Sequence, residues 1–276
     1  MERDGYKFVA YFLYMQSIIT PTDFSQASLN AVNYAADMAL ALNTRLVVLH
    51  ATGTPGNSGD IYTAPAHDEI DEKLNSLKND LIKRTNKKIP VHTKKTIGFT
   101  ESEIISACRH QKPLAVIMAT RGASFMEHFF KGSITVYLSK NLKYPVIVVP
   151  RGLEHKPIRK ILLAADLENI SGLPIERIKN IVKVFNAQLD VVHVSNGEDK
   201  PEITSRRMNE LTGYLSSCNA HGHFIYNRNV YEGIIDFAKE NNADIILTFP
   251  KKHSFFYKSK SKQLIFKAPF AVMTLQ

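Results

Sequence analysis

The chain has 276 residues, 44% hydrophobic and 22% charged, with a formal net charge of +9 and two cysteines. That length suits one large domain or two of ordinary size, and the apolar fraction is too high for general disorder. Cys108 and Cys218 supply neither a disulfide framework nor a metal-ligand spacing, and no apolar run reaches the roughly 20 residues needed to cross a bilayer, so a cytoplasmic protein is expected.

In chain order, the apolar stretch from Phe8 to Met15 has the length of a signal-peptide core. Glu2 and Asp4 spoil the basic flank such a peptide needs, and no small-residue cleavage site follows. Met15 is therefore read as the biological start, with residues 1–14 an extension outside the fold. Ser17 to Pro21 reads as the first strand. Ser25 to Ala41 carries Leu29, Val32, Ala36, Ala39 and Leu40 at helical spacing, with Ser25 as N-cap.

Val47 to Leu49 is a short, β-branched, nearly continuous apolar run, as are Ala115 to Ala119 and Val146 to Val149. Such runs fit strands buried on both faces of a parallel sheet. Ala51 to Ala66, rich in Gly, Thr, Pro and Ser, has no period and reads as a loop after the second strand. Asp68 to Lys88 repeats the helical pattern with Ile70, Leu74, Leu77, Leu81 and Ile82. Strands alternating with helices imply right-handed crossovers and an α/β doubly wound parallel sheet.

The same plan occurs twice. Ile18 to Asp23 aligns with Ile161 to Asp166, and Leu46 to His50 with Leu189 to His193, both at an offset of 143 (166 − 23 and 193 − 50). Further on, Glu101 to Ile105 matches Tyr231 to Ile235, Ala115 to Thr120 matches Asp244 to Phe249, and Pro145 to Pro150 matches Pro269 to Thr274. Five matches in order point to a duplication, hence two tandem domains, 1–152 and 153–276. The seam falls in the polar Arg151 to Pro157, which carries both Gly and Pro.

Ligands of open α/β sheets gather at the carboxyl ends of the strands. There, after the fourth strand, the chain runs Ala119-Thr120-Arg121-Gly122-Ala123-Ser124-Phe125, and then Gly132-Ser133-Ile134-Thr135 opens a helix with Ser133 as its hydroxyl cap. A helix start offers free N–H groups and partial positive charge to phosphate oxygens. Gly122 and Gly132 let backbone approach them, and Ser133 and Thr135 add donors.

This loop resembles that of ATP-binding universal stress proteins: Gly, two residues, Gly, nine residues, then Gly with Ser or Thr. Here Gly122, nine residues and Gly132-Ser133 fit, while Ala119 replaces the first Gly. Pro21-Thr22-Asp23-Phe24-Ser25 after the first strand and Pro145 to Val149 at the last are also similar to the family. The resemblance covers nearly all of the first half and implies the adenine-nucleotide alpha-hydrolase-like fold.

It further implies that Pro21, Thr22 and Asp23 contact the nucleoside and Ala51 lines the adenine pocket. Ala119, Thr120, Arg121, Gly122, Ala123 and Ser124, with Gly132, Ser133, Ile134 and Thr135, would wrap the phosphates of ATP or a related adenine nucleotide, with or without Mg2+. Two departures bear on this. If the first Gly is needed for φ > 0, Ala119 costs roughly 1–2 kcal/mol and weakens or abolishes binding; if only a small side chain is needed, little changes. Phe125 stands where many members have a third Gly, and a bulky ring there would narrow the pocket.

The second half lacks the loop. Pro250-Lys251-Lys252-His253 follows its fourth strand, and no Gly occurs from 234 onward, so a backbone phosphate cradle is not expected there. His50 and His193, at equivalent strand ends, read as structural hydrogen-bonders, Asp166 as a backbone cap, and Cys108 and Cys218 as core or its margin. Walker A, dinucleotide-binding and zinc-protease patterns are missing. The basic clusters Lys83-Arg84 with Lys87-Lys88, Lys94-Lys95, and Lys251 to Lys267 have no aromatic interleaving and read as solvated faces, so nucleic acid is not an expected partner.

The expectation is a non-catalytic stress-response protein binding an adenine nucleotide in its first half, with slow ATP hydrolysis at most. The family's dimers imply that the halves pair through their last strands, Val146 to Val149 against Ala271 to Thr274, with a homodimer also open. The alternatives are a nucleotide-free interaction module, a slow ATPase or other small-ligand hydrolase, and a nucleic-acid binder.

Overall fold

A computed structural model describes residues 16–52, 67–120, 133–249 and 263–276, and the chain divides into two compact units. The first takes the residues to Leu138 and Tyr144–His155; the second takes Ser139–Lys143 and Lys156–Gln276.

In the first unit the elements are β1 (Ser17–Pro21), α1 (Gln26–Ala41), β2 (Arg45–Thr52), α2 (His67–Arg84), β3 (Val91–Ile97), α3 (Thr100–Gln111), β4 (Ala115–Ala119), α4 (Ser133–Asn141) and β5 (Val146–Val149). The strands form a parallel sheet in the order β3-β2-β1-β4-β5. Ile18, Ile19, Leu46, Leu49 and Ile117 are wholly buried, because helices cover both faces of a sheet whose strands are joined by crossovers. The small side chains of Ala31, Ala35, Ala36 and Ala39 let α1 lie close over β1 and β4, and all four are fully buried.

Local signals explain the helix limits. The Ser25 side chain accepts from Ser28 N and so caps α1. The pattern predicts a helix continuing to Lys88, but α2 stops at Arg84. There the Thr85 hydroxyl turns back onto the Leu81 carbonyl, and Asn86 and Lys87 take left-handed backbone (φ 51° and 59°). Arg84 then grips Asp37 of α1 through two 2.7 Å hydrogen bonds.

The second unit contains β6 (Lys160–Ala164), a 3-10 turn (Leu167–Gly172), α5 (Ile175–Phe185), β7 (Gln188–Ser195), α6 (Pro201–Tyr214), a short 3-10 turn (Ser216–Cys218), β8 (His221–Tyr226), α7 (Val230–Glu240), β9 (Ile245–Thr248) and β10 (Ala271–Thr274). Its strands are parallel, in the order β10-β9-β6-β7-β8. Both sheets thus put their first strand third and reverse direction of growth beside it.

Cys108 sits inside α3 at 1% exposure, and burial pushes its thiol up to about 12, so it stays protonated and inert across the physiological range. Cys218 is at the margin of the core, half-buried on the short 3-10 turn. No helix among the described residues is long and apolar enough to cross a membrane.

Candidate functional site

The order of the first sheet creates a crevice. From β1 the chain crosses to β2 on one side, and later from β3 to β4 on the other, so neighbouring connections leave the carboxyl ends of β1 and β4 in opposite directions. Pro21 ends β1, and Thr22 and Asp23 follow it. Ala119 ends β4, and Thr120 follows. Ile19 is level with Val116 in the register, which puts Ala119 one residue beyond the level of Pro21. Pro21 is level with Leu49, so Ala51 lies two residues further along β2, on the other flank of β1.

The turn after β1 is locked by its own side chains. Thr22 N donates to Leu49 O (2.9 Å), extending the strand by one bond. The buried Thr22 hydroxyl meets Ser28 Oγ at 3.1 Å and accepts from Phe24 N at 3.0 Å. Asp23 Oδ1 accepts from both the backbone N–H (3.0 Å) and the hydroxyl (2.6 Å) of Ser25, an Asx turn that leads straight into the α1 cap. Asp23 is exposed, while Pro21, Ala51, Ala119 and Thr120 are half-buried.

Phe24 has φ 60°, a left-handed conformation that costs a bulky residue roughly 1–2 kcal/mol. Its ring packs on His50, with centroids 4.8 Å apart. His50 Nδ1 lies 2.8 Å from Thr22 O; since a carbonyl can only accept, that nitrogen carries the proton and donates. The strained Phe24 and the His50 clasp are not legible as site features in the sequence, because left-handed backbone at Phe has no compositional signal.

At Ala119, where the first glycine is missing, the backbone is extended rather than left-handed. It is the last extended residue of β4, level with Val149, and is not among the non-glycine residues with positive φ. Alanine therefore fits this position without backbone cost. Thr120 N continues the ladder to Val149 O at 3.2 Å. Further along the chain, α4 begins at Ser133 itself, one residue before a Ser133 cap would start it, within the usual ambiguity of helix ends. Ile134 is half-buried and Thr135 buried. Arg121, Gly122, Ala123, Ser124, Phe125 and Gly132 lie outside the described residues, as does the Ser133 side chain.

The second unit repeats the frame. Ala165 N donates to Val192 O (2.9 Å), and His193 Nδ1 lies 3.1 Å from Ala165 O, each the counterpart of a bond around Thr22 at the 143-residue offset (165 − 22). Asp166 Oδ1 accepts from Glu168 N at 3.0 Å, as Asp23 does from Ser25 N, and caps the 3-10 turn. Both histidines make the structural hydrogen bond expected of them. Unlike His50, His193 is 6% exposed and its Nε2 stands 3.2 Å from Asp199 Oδ2. Pro250, Lys251, Lys252 and His253 lie outside the described residues. Among the described residues, no group of three or more His, Cys, Asp or Glu side chains is placed to hold a metal.

Residues 15–150 match the model of the universal stress protein family. The chain carries a universal stress protein domain. A universal stress protein of Methanocaldococcus jannaschii is 24% identical over 141 residues, which is 49% of this chain and 82% of that one. Among solved structures, a universal stress protein from Archaeoglobus fulgidus superposes with a TM-score of 0.69 at 23% identity, over 96% of this chain and 98% of that one. A functionally unknown protein from Pseudomonas aeruginosa gives 0.60 at 13% identity, over 94% of this chain and 92% of that one. At these identities the structural likenesses speak to the fold, which is the adenine-nucleotide alpha-hydrolase-like fold of universal stress proteins.

Proposed function

We propose that this universal stress protein binds ATP or a closely related adenine nucleotide in its first half, domain 1–152, and that domain 153–276 is a degenerate copy that binds none. The observation that carries this is the crevice itself: Thr22 and Asp23 end one wall, Ala119 and Thr120 the other, where the strand order reverses. Ala51 on β2 offers a small, half-buried surface for a flat base, and α4 begins on the segment leaving β4, where its start can face phosphates.

The residues present fit such a ligand chemically. Ala51 and Ala119 leave room, Thr120 and Thr135 carry hydroxyl donors, and the Asp23 carboxylate can accept from ribose hydroxyls with its turn already fixed by Ser25. Arg121, Gly122, Ala123, Ser124, Gly132, Ser133 and Ile134 complete the phosphate side in this proposal. A bound Mg2+ would ride on the phosphates. No side chain is assigned as a general base, slow ATP hydrolysis is the most this proposal allows, and the cytoplasm is its proposed place.

The second half serves as a covalently tethered partner. Repetition of the strand order and of the His50 and Asp23 bonds supports descent from one duplicated unit. Val146–Val149 and Ala271–Thr274 are each the terminal strand of their own sheet, and we propose that they pair, as a tether at high effective concentration favours. Homodimers of the chain would be a further level of assembly.

Thermal unfolding with and without ATP-Mg2+ tests nucleotide binding. At about 100 times Kd, stabilisation of roughly 2.7 kcal/mol is expected. An unchanged transition at millimolar nucleotide would reject it.

A further inference from the structure

Among the described residues of the second unit, every exposed large apolar side chain lies on two neighbouring elements. Phe224 and Tyr226 are on β8, at 50% and 66% exposure, and Ile203 and Tyr214 are on α6. α6 packs over β8 so closely that a Cβ on Gly222 would come within 2.7 Å of Met208 Cγ. β8 is the outer strand of its sheet, and among the described residues it pairs with β7 alone. Apolar side chains gathered at an unpaired strand mark a contact surface rather than a solvated face.

The backbone shows which groups are open. Asn227 N donates to Ser195 O at 3.0 Å, so position 227 turns toward β7. Backbone direction alternates along a strand, so His221, His223 and Ile225 also turn their N–H and C=O groups toward β7. Gly222, Phe224 and Tyr226 turn theirs outward, and all three are exposed. They suit a second copy of the same strand running antiparallel. With the pairing centred on Phe224, that residue meets Phe224 of the second copy, and Gly222 meets Tyr226 of the second copy. Each such pair exchanges both backbone hydrogen bonds. An aromatic ring opposite a strand glycine covers the backbone that the glycine leaves bare, and the two Phe224 rings meet at the twofold axis.

Charge separates β8 from the outer strand of the first unit. β3 carries Lys94 and Lys95 in its middle, the usual guard against edge pairing, and a second β3 would set lysines against lysines. β8 carries no lysine, arginine or carboxylate. In a chain of net charge +9, two copies can approach along it without like charges face to face. We propose that β8 is the dimerisation edge of this chain, joined to β8 of a second copy by antiparallel pairing centred on Phe224. This rests on the homodimer reading above, gives it a surface, and is independent of nucleotide.

The test is sedimentation velocity of the full chain from low micromolar to sub-millimolar concentration, with amide exchange followed by NMR. A reversible monomer–dimer equilibrium is expected, and exchange at Phe224 and Tyr226 should slow as concentration rises, while His223 and Ile225 change little. Phe224→Lys, which sets two like charges opposite each other, should weaken the dimer about tenfold or more, and Tyr226→Ala about threefold. Ile97→Lys, an equally drastic change on the exposed end of β3, should leave the equilibrium unchanged. Circular dichroism verifies folding; should Phe224→Lys not fold, Tyr226→Ala and the exchange pattern decide. A chain monomeric throughout would overturn both this surface and the homodimer. A dimer that the β8 substitutions leave intact, or that protects other amides instead, would overturn this surface alone.

Discussion

Ile117→Ala and Ile246→Ala are each expected to lower unfolding stability by about 2–5 kcal/mol, the range for deleting a fully buried aliphatic side chain and leaving its cavity. Ile117 lies in β4 between β1 and β5, and Ile246 in β9 between β6 and β10; both are 0% exposed. They occupy matching positions in the two sheets, 129 residues apart (246 − 117). Neither cavity can collapse easily, because a strand with neighbours on both sides cannot shift without breaking two ladders. Urea unfolding followed by circular dichroism measures the cost. A loss below about 1 kcal/mol at either position would contradict the buried-sheet assignment of that strand.

Asp23→Asn is expected to weaken ATP by roughly ten- to a hundredfold, as loss of a charged acceptor worth about 1.5–3 kcal/mol implies. Asparagine keeps an Oδ1 that can accept from Ser25 N and Oγ, so the Asx turn and the cap of α1 survive while the carboxylate charge is removed. Asp166→Asn in the second half makes the same chemical change at a position that caps a 3-10 turn, and should leave the titration untouched. Calorimetric titration of the two variants separates ligand contact from turn stability. Equal affinities for wild type and Asp23→Asn would remove Asp23 from the site.

The strands of the sheet centres are readable from sequence because burial on both faces demands continuous apolar runs, as Val47 to Leu49 and Ala115 to Met118 show. β3 does not stand out in the same way. It is a sheet-edge strand reading Val-His-Thr-Lys-Lys-Thr-Ile, with its exposed side polar, and its pairing rather than its composition makes it a strand. The overrun of α2 has a similar cause: Asn86 and Lys87 end the helix through backbone angles that lysine-rich sequence does not announce. At the site, Pro21 to Asp23, Ala51, Ala119 and Thr120 fall on adjacent strand ends because the motif is a consequence of the strand order. A structural hydrogen bond at His50 is expected from its strand-end position, but its partner, the Thr22 carbonyl, and the strained Phe24 emerge only in three dimensions, from geometry that spacing alone does not encode.

The most direct measurement is a crystal structure of the full chain grown with ATP-Mg2+. One nucleotide per chain is expected, its sugar beside Asp23, its base against Ala51 and its phosphates beyond Ala119 toward the start of α4. An empty crevice at saturating nucleotide, or density at the ends of β6 and β9 instead, would contradict it.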